Sequence, residues 1–483
     1  MKKMNLLAMS LVSAAALSFS SCSSNDDLGG GSGNQSQVKG FYMTFAVQTP
    51  TSNGTRTQQP TDANFKVNGT TAETKITSGT FYLVNQKTKK TVFTKHITAS
   101  ELNNAAPESP VKGTTTTKIE VPVQDVEENV NYIVYFLANT TDATPWTSTY
   151  TAPTGFTGAY ATDNNFVMFN QNDKNSPANK YTVKFEAANK EIGNPARVNG
   201  TIMLDRVTAR IDKPETEATS ITAKYPEGAD AKKKAAIDAE IAKVKTVTQS
   251  NYAITNLSNK TNIMQQWDAT WAALQIPEGI TYMQKSGELG DQWTLTNYNW
   301  FANAEKNYVF ENTKETPTTM YFEYVLGLDE TKFTDTPDCT DGTFYRYNGV
   351  IYRSIAAIYA AYADQPVLFG GKTADALKGE LKITADGKIG ASDTELAKFR
   401  KDNVIEVFVA GKTYYSQVIT DKWLGTNTIQ RNTVYQLNVK KIFNLGADVP
   451  NGKPDENKPM YYLDVEVSVN PWVLSTQDVN LNE

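Results

Sequence analysis

Histidine and cysteine are almost absent from this chain. Its 483 residues include one histidine, His96, and two cysteines, Cys22 and Cys339. One imidazole excludes a zinc site built from two or three histidines, and it leaves His96 as the only histidine that could serve a catalytic triad. His96 lies within a strand pattern, where a histidine at a strand edge is the simpler interpretation. The scarcity therefore argues against imidazole-based metal binding and catalysis.

Common catalytic motifs are missing as well. The sequence has no complete phosphate-binding loop, no G-x-S-x-G elbow, no paired C-x-x-C and no calcium-loop spacing. Carboxylate pairs of the glycosidase type stay open, because their separation in space is not visible in a sequence. Since nothing supports catalysis, we predict that the protein is not an enzyme and that it holds no cofactor and no metal.

Dense basic clusters and long apolar runs are also lacking. Lysine and arginine number 47 against 52 aspartates and glutamates, a net charge of −5, and no basic cluster follows the first residues. We therefore expect no nucleic-acid partner. The apolar run near the N-terminus is too short to cross a membrane. The length and a hydrophobic content of 40% predict roughly two or three domains with real cores.

The N-terminal residues 1–21 have the pattern of a signal peptide. Lys2 and Lys3 precede the apolar segment LLAMSLVSAAALSF, and small residues precede Cys22. This end resembles a bacterial lipobox, which implies acylation of Cys22 and leaves Cys339 without a disulfide partner. Residues 22–38 read as a flexible tether, and its acidic pair resembles a tag for the outer face of the outer membrane. An ordinary secreted protein is the alternative.

The last stretch, residues 460–481, alternates apolar and polar side chains with the period of a half-buried strand. The apolar positions, continuing beyond Pro471, are Leu463, Val465, Val467, Val469, Trp472 and Leu474. Residues 447–459 form a polar segment rich in Gly, Pro and Asn, which predicts a linker. The strand could therefore leave its own domain and join another subunit, or it could simply be the last strand of a sandwich.

The first strand pattern has the same single apolar face. Its alternating residues are Phe41, Met43, Phe45 and Val47. A polar loop follows at residues 50–62 and contains Arg56, the only arginine before Arg197. Exposed loops of small polar residues are where proteases cut, so a trypsin-like enzyme has one target here.

Between these two strands the chain reads as mainly β. Strand patterns recur without intervening helices up to a predicted boundary at residues 191–200, which favours antiparallel sandwiches. In the second half, Asn348 and Gly349 predict a tight hairpin turn. Three helical insertions are expected there: one at Ile237 to Val244, one at Ile351 to Tyr362, and one over residues 394–402.

Taken together, these segments resemble the fimbrillins, the type V pilins of Bacteroidales, and among them the major subunit of the short (minor) fimbriae. The matching motifs lie in the same order along nearly the whole chain. They are Cys22, FYMTFAVQTP, Thr55-Arg56-Thr57, LDRVTARI, GKTYYSQVI, IQRNTVYQLNVKKIFNLG and VEVSVNPWVLSTQDVNL.

The resemblance implies two tandem transthyretin-like β-sandwich domains, residues 57–195 and 196–446. It implies a precursor exported through the periplasm as an outer-membrane lipoprotein, and an arginine-specific protease that cuts between Arg56 and Thr57. Removal of residues 39–56 would open a groove, which the C-terminal strand (residues 460–483) of a neighbouring subunit would fill. The expected product is a surface fimbrium: a homopolymer with other fimbrial subunits at its tip and base.

Two other functions stay open from the sequence. A tip or anchor subunit of the same family is expected to lack either the cleavable arginine or the free terminal strand. A surface glycan-binding lipoprotein would instead use some of the 24 tyrosines and 7 tryptophans to face a sugar.

Overall fold

Strands dominate the regular structure of the computed structural model. It describes residues 40–48, 69–104, 113–116, 119–140, 145–153, 156–285, 288, 290–295, 298–301, 305–313, 315–365, 367–452 and 462–471. Within them, thirty strands and five α-helices are assigned. The predicted mainly β class is confirmed.

The first part of the chain contributes twelve short strands. They are β1 (Phe41–Thr44), β2 (Ala46–Gln48), β3 (Gly79–Asn85), β4 (Thr91–Ile97), β5 (Leu102–Asn104), β6 (Gly113–Thr116), β7 (Ile119–Val121), β8 (Asn131–Ala138), β9 (Thr149–Thr151), β10 (Met168–Asn170), β11 (Thr182–Lys184) and β12 (Ala196–Arg197).

In the second part, the described residues form eighteen strands of two to twelve residues. They are β13 (Ile202–Arg206), β14 (Ala209–Asp212), β15 (Glu215–Thr216), β16 (Ile221–Thr222), β17 (Val244–Thr255), β18 (Leu257–Ser258), β19 (Lys260–Asn262), β20 (Gln266–Trp267) and β21 (Leu274–Gln275). The rest are β22 (Tyr282–Met283), β23 (Lys306–Val309), β24 (Thr319–Leu328), β25 (Phe344–Tyr347), β26 (Val350–Tyr352), β27 (Glu406–Phe408), β28 (Lys412–Val418), β29 (Thr433–Phe443) and β30 (Tyr462–Pro471).

These strands pair into several sheets. The order β4-β3-β8-β10-β13-β2-β6-β5 forms the largest, in which β11 also pairs with β8, and β12-β1-β7 forms a smaller sheet beside it. The second part contains β15-β29-β14-β23, in which β16 and β30 also pair with β29. It further contains β17-β24-β28, β26-β25-β27 and the two-stranded pairs β18-β22, β19-β9 and β20-β21.

Two large apolar cores follow this division. One gathers buried side chains from Phe41 to Leu204 together with Val434, and the other gathers side chains from Ala209 to Leu445. The chain from Gly40 onward nevertheless forms one compact unit. The division into two sandwiches at residues 195 and 196 therefore stays a prediction.

The helices lie partly where the sequence predicts them. They are α1 (Thr71–Thr74), α2 (Ala231–Ile241), α3 (Ile355–Ala361), α4 (Ala374–Glu380) and α5 (Asp393–Asn403). Two expected helical positions are wrong, because Val244 begins β17 and Ile351 lies in β26. The hairpin between β25 and β26 is confirmed, with positive φ at Asn348 and Gly349.

A buried ionic cluster ties α1 to the second part of the chain. Glu73 is fully buried, and its carboxylate accepts hydrogen bonds from Arg210 at 3.2 Å and from the Tyr308 hydroxyl at 2.6 Å. Arg206 donates to the Glu73 carbonyl at 2.7 Å and to the Asn432 side chain at 3.0 Å. Both arginines belong to the segment LDRVTARI. Through their hydrogen bonds this segment connects α1 to Asn432, the residue before β29, and the Tyr308 hydroxyl connects α1 to β23.

The partners of Glu73 outweigh the cost of burying its charge. Burial alone would raise the pKa of this carboxyl. The Tyr308 hydroxyl, the Thr70 amide and the charges of Arg210 and Lys306 instead lower its pKa to about 2. The ionised form is therefore favoured by the folded state at neutral pH.

We predict that Glu73→Gln lowers the free energy of unfolding by about 2–4 kcal/mol at pH 7. Because the folded-state pKa is depressed, the stabilisation is present above the unfolded value near 4.5 and is lost as the pH falls through about 2. Urea unfolding at pH 7 and pH 3 should show the difference shrinking by roughly half or more. Glu128→Gln, which removes an exposed ion pair with Lys190, is the matched control. An equal loss at both pH values would contradict the prediction.

Candidate assembly site

The first two strands bury one complete face. Phe41, Met43, Phe45 and Val47 are 2%, 0%, 4% and 0% exposed. The residues between them, Tyr42, Thr44 and Ala46, are half-buried. The alternation that the sequence predicts for this segment is thus present in the structure, and its apolar face is part of the first core.

Aromatic contacts hold this face in place. The Phe45 ring lies 5.1 Å from Phe81 in a stacked arrangement and 5.4 Å from Phe136. Phe41 lies 5.3 Å from Phe185, and the Lys190 ammonium group lies over the Phe41 ring at 5.1 Å. Such ring pairs add to the burial of apolar area.

Each of these strands has hydrogen-bonded neighbours on both sides. β1 pairs in parallel with β12, where Met43 faces Ala196, and antiparallel with β7, where Phe41 faces Val121. β2 pairs in parallel with β13, where Val47 faces Ile202, and antiparallel with β6. The segment is therefore an internal strand of its sheets, and Arg56 follows its last residue by eight positions in the sequence.

The C-terminal strand lies at the edge of a different sheet. β30 pairs antiparallel with β29, with Val465 opposite Val439 and Val467 opposite Leu437. On its other side β29 pairs in turn with β14, β15 and β16. Among the described residues β30 therefore has one neighbouring strand. Val465 is half-buried and packs against the second core.

The remaining positions predicted for this strand divide into two groups. Leu463 and Val469 lie in β30 opposite Ile442 and Tyr435. Trp472 and Leu474 lie outside the described residues, as do Cys22, Arg56 and Thr57.

The predicted linker at residues 447–459 is wrong at its beginning. Ala447, Asp448 and Val449 are buried. The Asp448 carboxylate accepts hydrogen bonds from Arg400 at 2.6 Å and from the Val407 amide at 2.9 Å. The polar composition predicted exposure, but Asp448, the one charged residue among these three, pairs with a buried arginine from α5.

His96 and Cys339 are the two residues whose side-chain chemistry is most open to a functional interpretation. His96 is exposed on β4, the edge strand of its sheet, as the sequence predicts. Cys339 is buried and forms no disulfide within the described part of the chain. Burial, together with the nearby Asp341 charge, raises the pKa of its thiol to about 11. This thiol is therefore protonated at neutral pH and a weak nucleophile.

The described residues contain neither a metal-binding cluster nor a membrane-spanning helix. In that part of the chain, no group of three or more His, Cys, Asp or Glu side chains is placed to hold a metal ion. No helix there combines the length and the apolar character needed to cross a membrane.

The described chain is thus mainly β, with an internal strand near its beginning and a strand at a sheet edge near its end. Residues 406–478 match the family described as "Major fimbrial subunit protein type IV, Fimbrillin, C-terminal". This region includes β29 and most of the predicted terminal strand. The resemblance to fimbrillins is confirmed for this region, and residues 406–478 are of the fimbrillin type. The family is one of fimbrial subunits, which indicates a structural role at the cell surface.

Several solved structures are similar at low sequence identity. A fimbrilin from Porphyromonas gingivalis W83 shares 13% identity with a TM-score of 0.41, covering 91% of this chain and 100% of that one. A candidate cell adhesion protein from Parabacteroides distasonis shares 14% with a TM-score of 0.43, covering 92% and 100%. A tip fimbrial protein from P. gingivalis shares 13% with a TM-score of 0.32, covering 89% and 99%. No curated protein matched the chain.

We predict that Phe45→Ala lowers the free energy of unfolding of the uncleaved chain by about 3–5 kcal/mol, because it leaves a cavity between Phe81 and Phe136. Thr44→Ala changes the opposite face of the same segment and should cost about 1 kcal/mol or less. Urea unfolding of both variants measures the difference. Equal losses would mean that the buried face does not anchor the strand.

Proposed function

We propose that this protein is the major stalk subunit of cell-surface fimbriae and that it polymerises by strand exchange. The precursor is a lipoprotein acylated at Cys22, exported through the periplasm and held at the outer membrane. An arginine-specific protease cuts between Arg56 and Thr57. The C-terminal strand of one subunit, residues 460–483, then fills the groove left by the N-terminal strand of another, and other fimbrial subunits occupy the tip and base.

The observation that carries this proposal is the position of the N-terminal strand between two neighbours. Removal of β1 and β2 exposes the facing edges of β7 and β12 and of β6 and β13. Both edges then present unpaired amide and carbonyl groups, and the core loses four buried apolar side chains. The resulting slot has unpaired backbone N–H and C=O groups along both edges and apolar side chains at its base. Another strand can therefore bind in it.

The terminal strand has the spacing that this slot requires. Leu463, Val465, Val467 and Val469 recur at every second residue, as do the four apolar residues of the N-terminal strand. Both sets extend over about 20 Å of extended chain. A strand with this alternation can place its apolar face on the core of the slot while its backbone pairs with both edges.

The energetics favour exchange after cleavage. Within the described part of its own chain β30 has one neighbouring strand, whereas the slot offers two, and each added ladder hydrogen bond contributes about 0.5–1.5 kcal/mol net. Burial of each large apolar side chain contributes roughly 1.5–3 kcal/mol. Burial of four or five such side chains, roughly 6–15 kcal/mol in all, together with the added hydrogen bonds offsets an association cost of about 4–15 kcal/mol. Before cleavage, the resident strand competes at high effective concentration and keeps the precursor monomeric.

We predict that Arg56→Ala prevents both maturation and polymerisation. The purified lipid-free chain is treated with an arginine-specific protease, then examined by intact mass and by SDS-resistant ladder gels. The wild type should gain a new N-terminus at Thr57 together with a ladder of oligomers, and the variant neither. Arg197→Lys removes the next arginine while keeping its charge, and it should behave as the wild type. A clean cut at Arg56 that leaves a stable monomer would contradict the proposal.

We predict that deletion of residues 473–483 gives a folded monomer that does not polymerise alone, because the retained β30 completes its own sheet while the donor strand is shortened. Circular dichroism checks the fold and native gels check the assembly. Mixed with cleaved wild type, the truncated subunit should still accept a strand and shorten the ladder. Fibres of normal length from the truncated chain alone would rule out strand donation by this end.

A further inference from the structure

The helix α2 lies over an apolar cavity of about 250 Å³ in the second part of the chain. One wall is α2 itself, through Ala236, Ile237 and Ile241, and the facing wall includes Ile351 and Leu445. The cavity also opens toward the Asn348–Gly349 turn. It lies apart from the N-terminal strand and from its flanking strands.

The helix leaves much of this apolar surface uncovered. Of its eleven residues only Ile237 is buried. Ala236 and Ala239 line the cavity with small side chains and remain exposed, while Ile241 and Val244 are only half-buried. Small residues at these positions keep open a space that larger side chains would fill.

Polar contacts fix α2 at the edge of the cavity. The Glu240 carboxylate accepts hydrogen bonds from the Ile351 amide at 2.7 Å and from Lys243 at 2.8 Å. The Tyr225 hydroxyl donates to Asp238 at 2.7 Å. These hydrogen bonds therefore hold α2 against the β25–β26 hairpin, although the cavity between them is not filled by side chains.

The charges of the lining are balanced except at one position. Glu240 pairs with Lys243, and the Arg346 guanidinium donates to the Glu406 carboxylate. Lys233 is exposed, and its ammonium group forms no ion pair with any of the residues that the structure describes. The lining of the cavity thus includes one exposed lysine that has no ion pair within the described part of the chain.

We propose that this cavity binds a medium-chain aliphatic monocarboxylate, with the alkyl chain under α2 and the carboxylate beside Lys233. The cavity volume of about 250 Å³ exceeds the ~150 Å³ of an apolar cavity that accepts benzene. The apolar walls favour a saturated chain, and the exposed Lys233 ammonium group favours an anionic head group. This ligand site goes beyond the proposed role in fimbriae and does not depend on strand exchange.

The first test is a chain-length series on the purified full chain. Isothermal titration calorimetry with hexanoate, octanoate and decanoate, each below its micelle concentration, measures the affinities. Because each methylene leaves water for an apolar wall, affinity should rise about fourfold per added methylene until the cavity is full, and then level off. Absence of binding for the whole series would overturn the proposal, as would a rise without a plateau, which indicates adsorption to the surface.

Neighbouring residues of α2 supply matched controls. Ala236→Leu fills the cavity and should weaken octanoate binding by about tenfold or more, whereas Ala235→Leu, on the same helix but outside the lining, should not. Lys233→Gln should weaken octanoate binding roughly two- to fivefold, and Lys232→Gln should leave it unchanged. Octanol should be insensitive to Lys233→Gln. The site would be overturned if the two alanine variants, or the two lysine variants, changed octanoate affinity equally. The lysine variants change exposed residues, so they test the site even if Ala236→Leu misfolds.

Discussion

An internal strand at the very start of the described chain is the constraint on which the rest of this structure depends. β1 and β2 close the gap between β7 and β12 and between β6 and β13, and they place four side chains in the first core. Most proteins keep their termini at the periphery, where loss is tolerated. Here the first strands of the described chain are core elements, so the first core depends on their presence.

The buried cluster around Glu73 matters for the same reason. Glu73 follows Arg56 by 17 residues in the sequence, so the cluster lies on the C-terminal side of the proposed cleavage position. Arg206 and Arg210 attach α1 to strands of the second part, and this attachment needs no contact with β1 or β2. Ionic partners distant in sequence can thus hold α1 in place independently of β1 and β2.

The alternation of apolar and polar side chains along the strands allowed much of the fold and of the candidate site to be predicted from the sequence. The buried face from Phe41 to Val47, the strand that contains Val465 and the turn at Asn348 all follow from local patterns. Non-local features did not follow. The burial of Asp448 depends on Arg400, 48 residues away, and the periodic spacing of Ile351 with Ile355 and Ile358 continues across the end of a strand into α3. The cluster around Glu73 gave no local signal beyond the two arginines of one motif.

The double pairing of the N-terminal strand also determines how the protein carries mechanical load. A force along the axis of β1 runs parallel to both of its ladders, so it loads their hydrogen bonds in shear. Bonds loaded in this way must break together, whereas a strand pulled from an edge opens one bond at a time. The strand in this position is therefore held most firmly against tension along its own length.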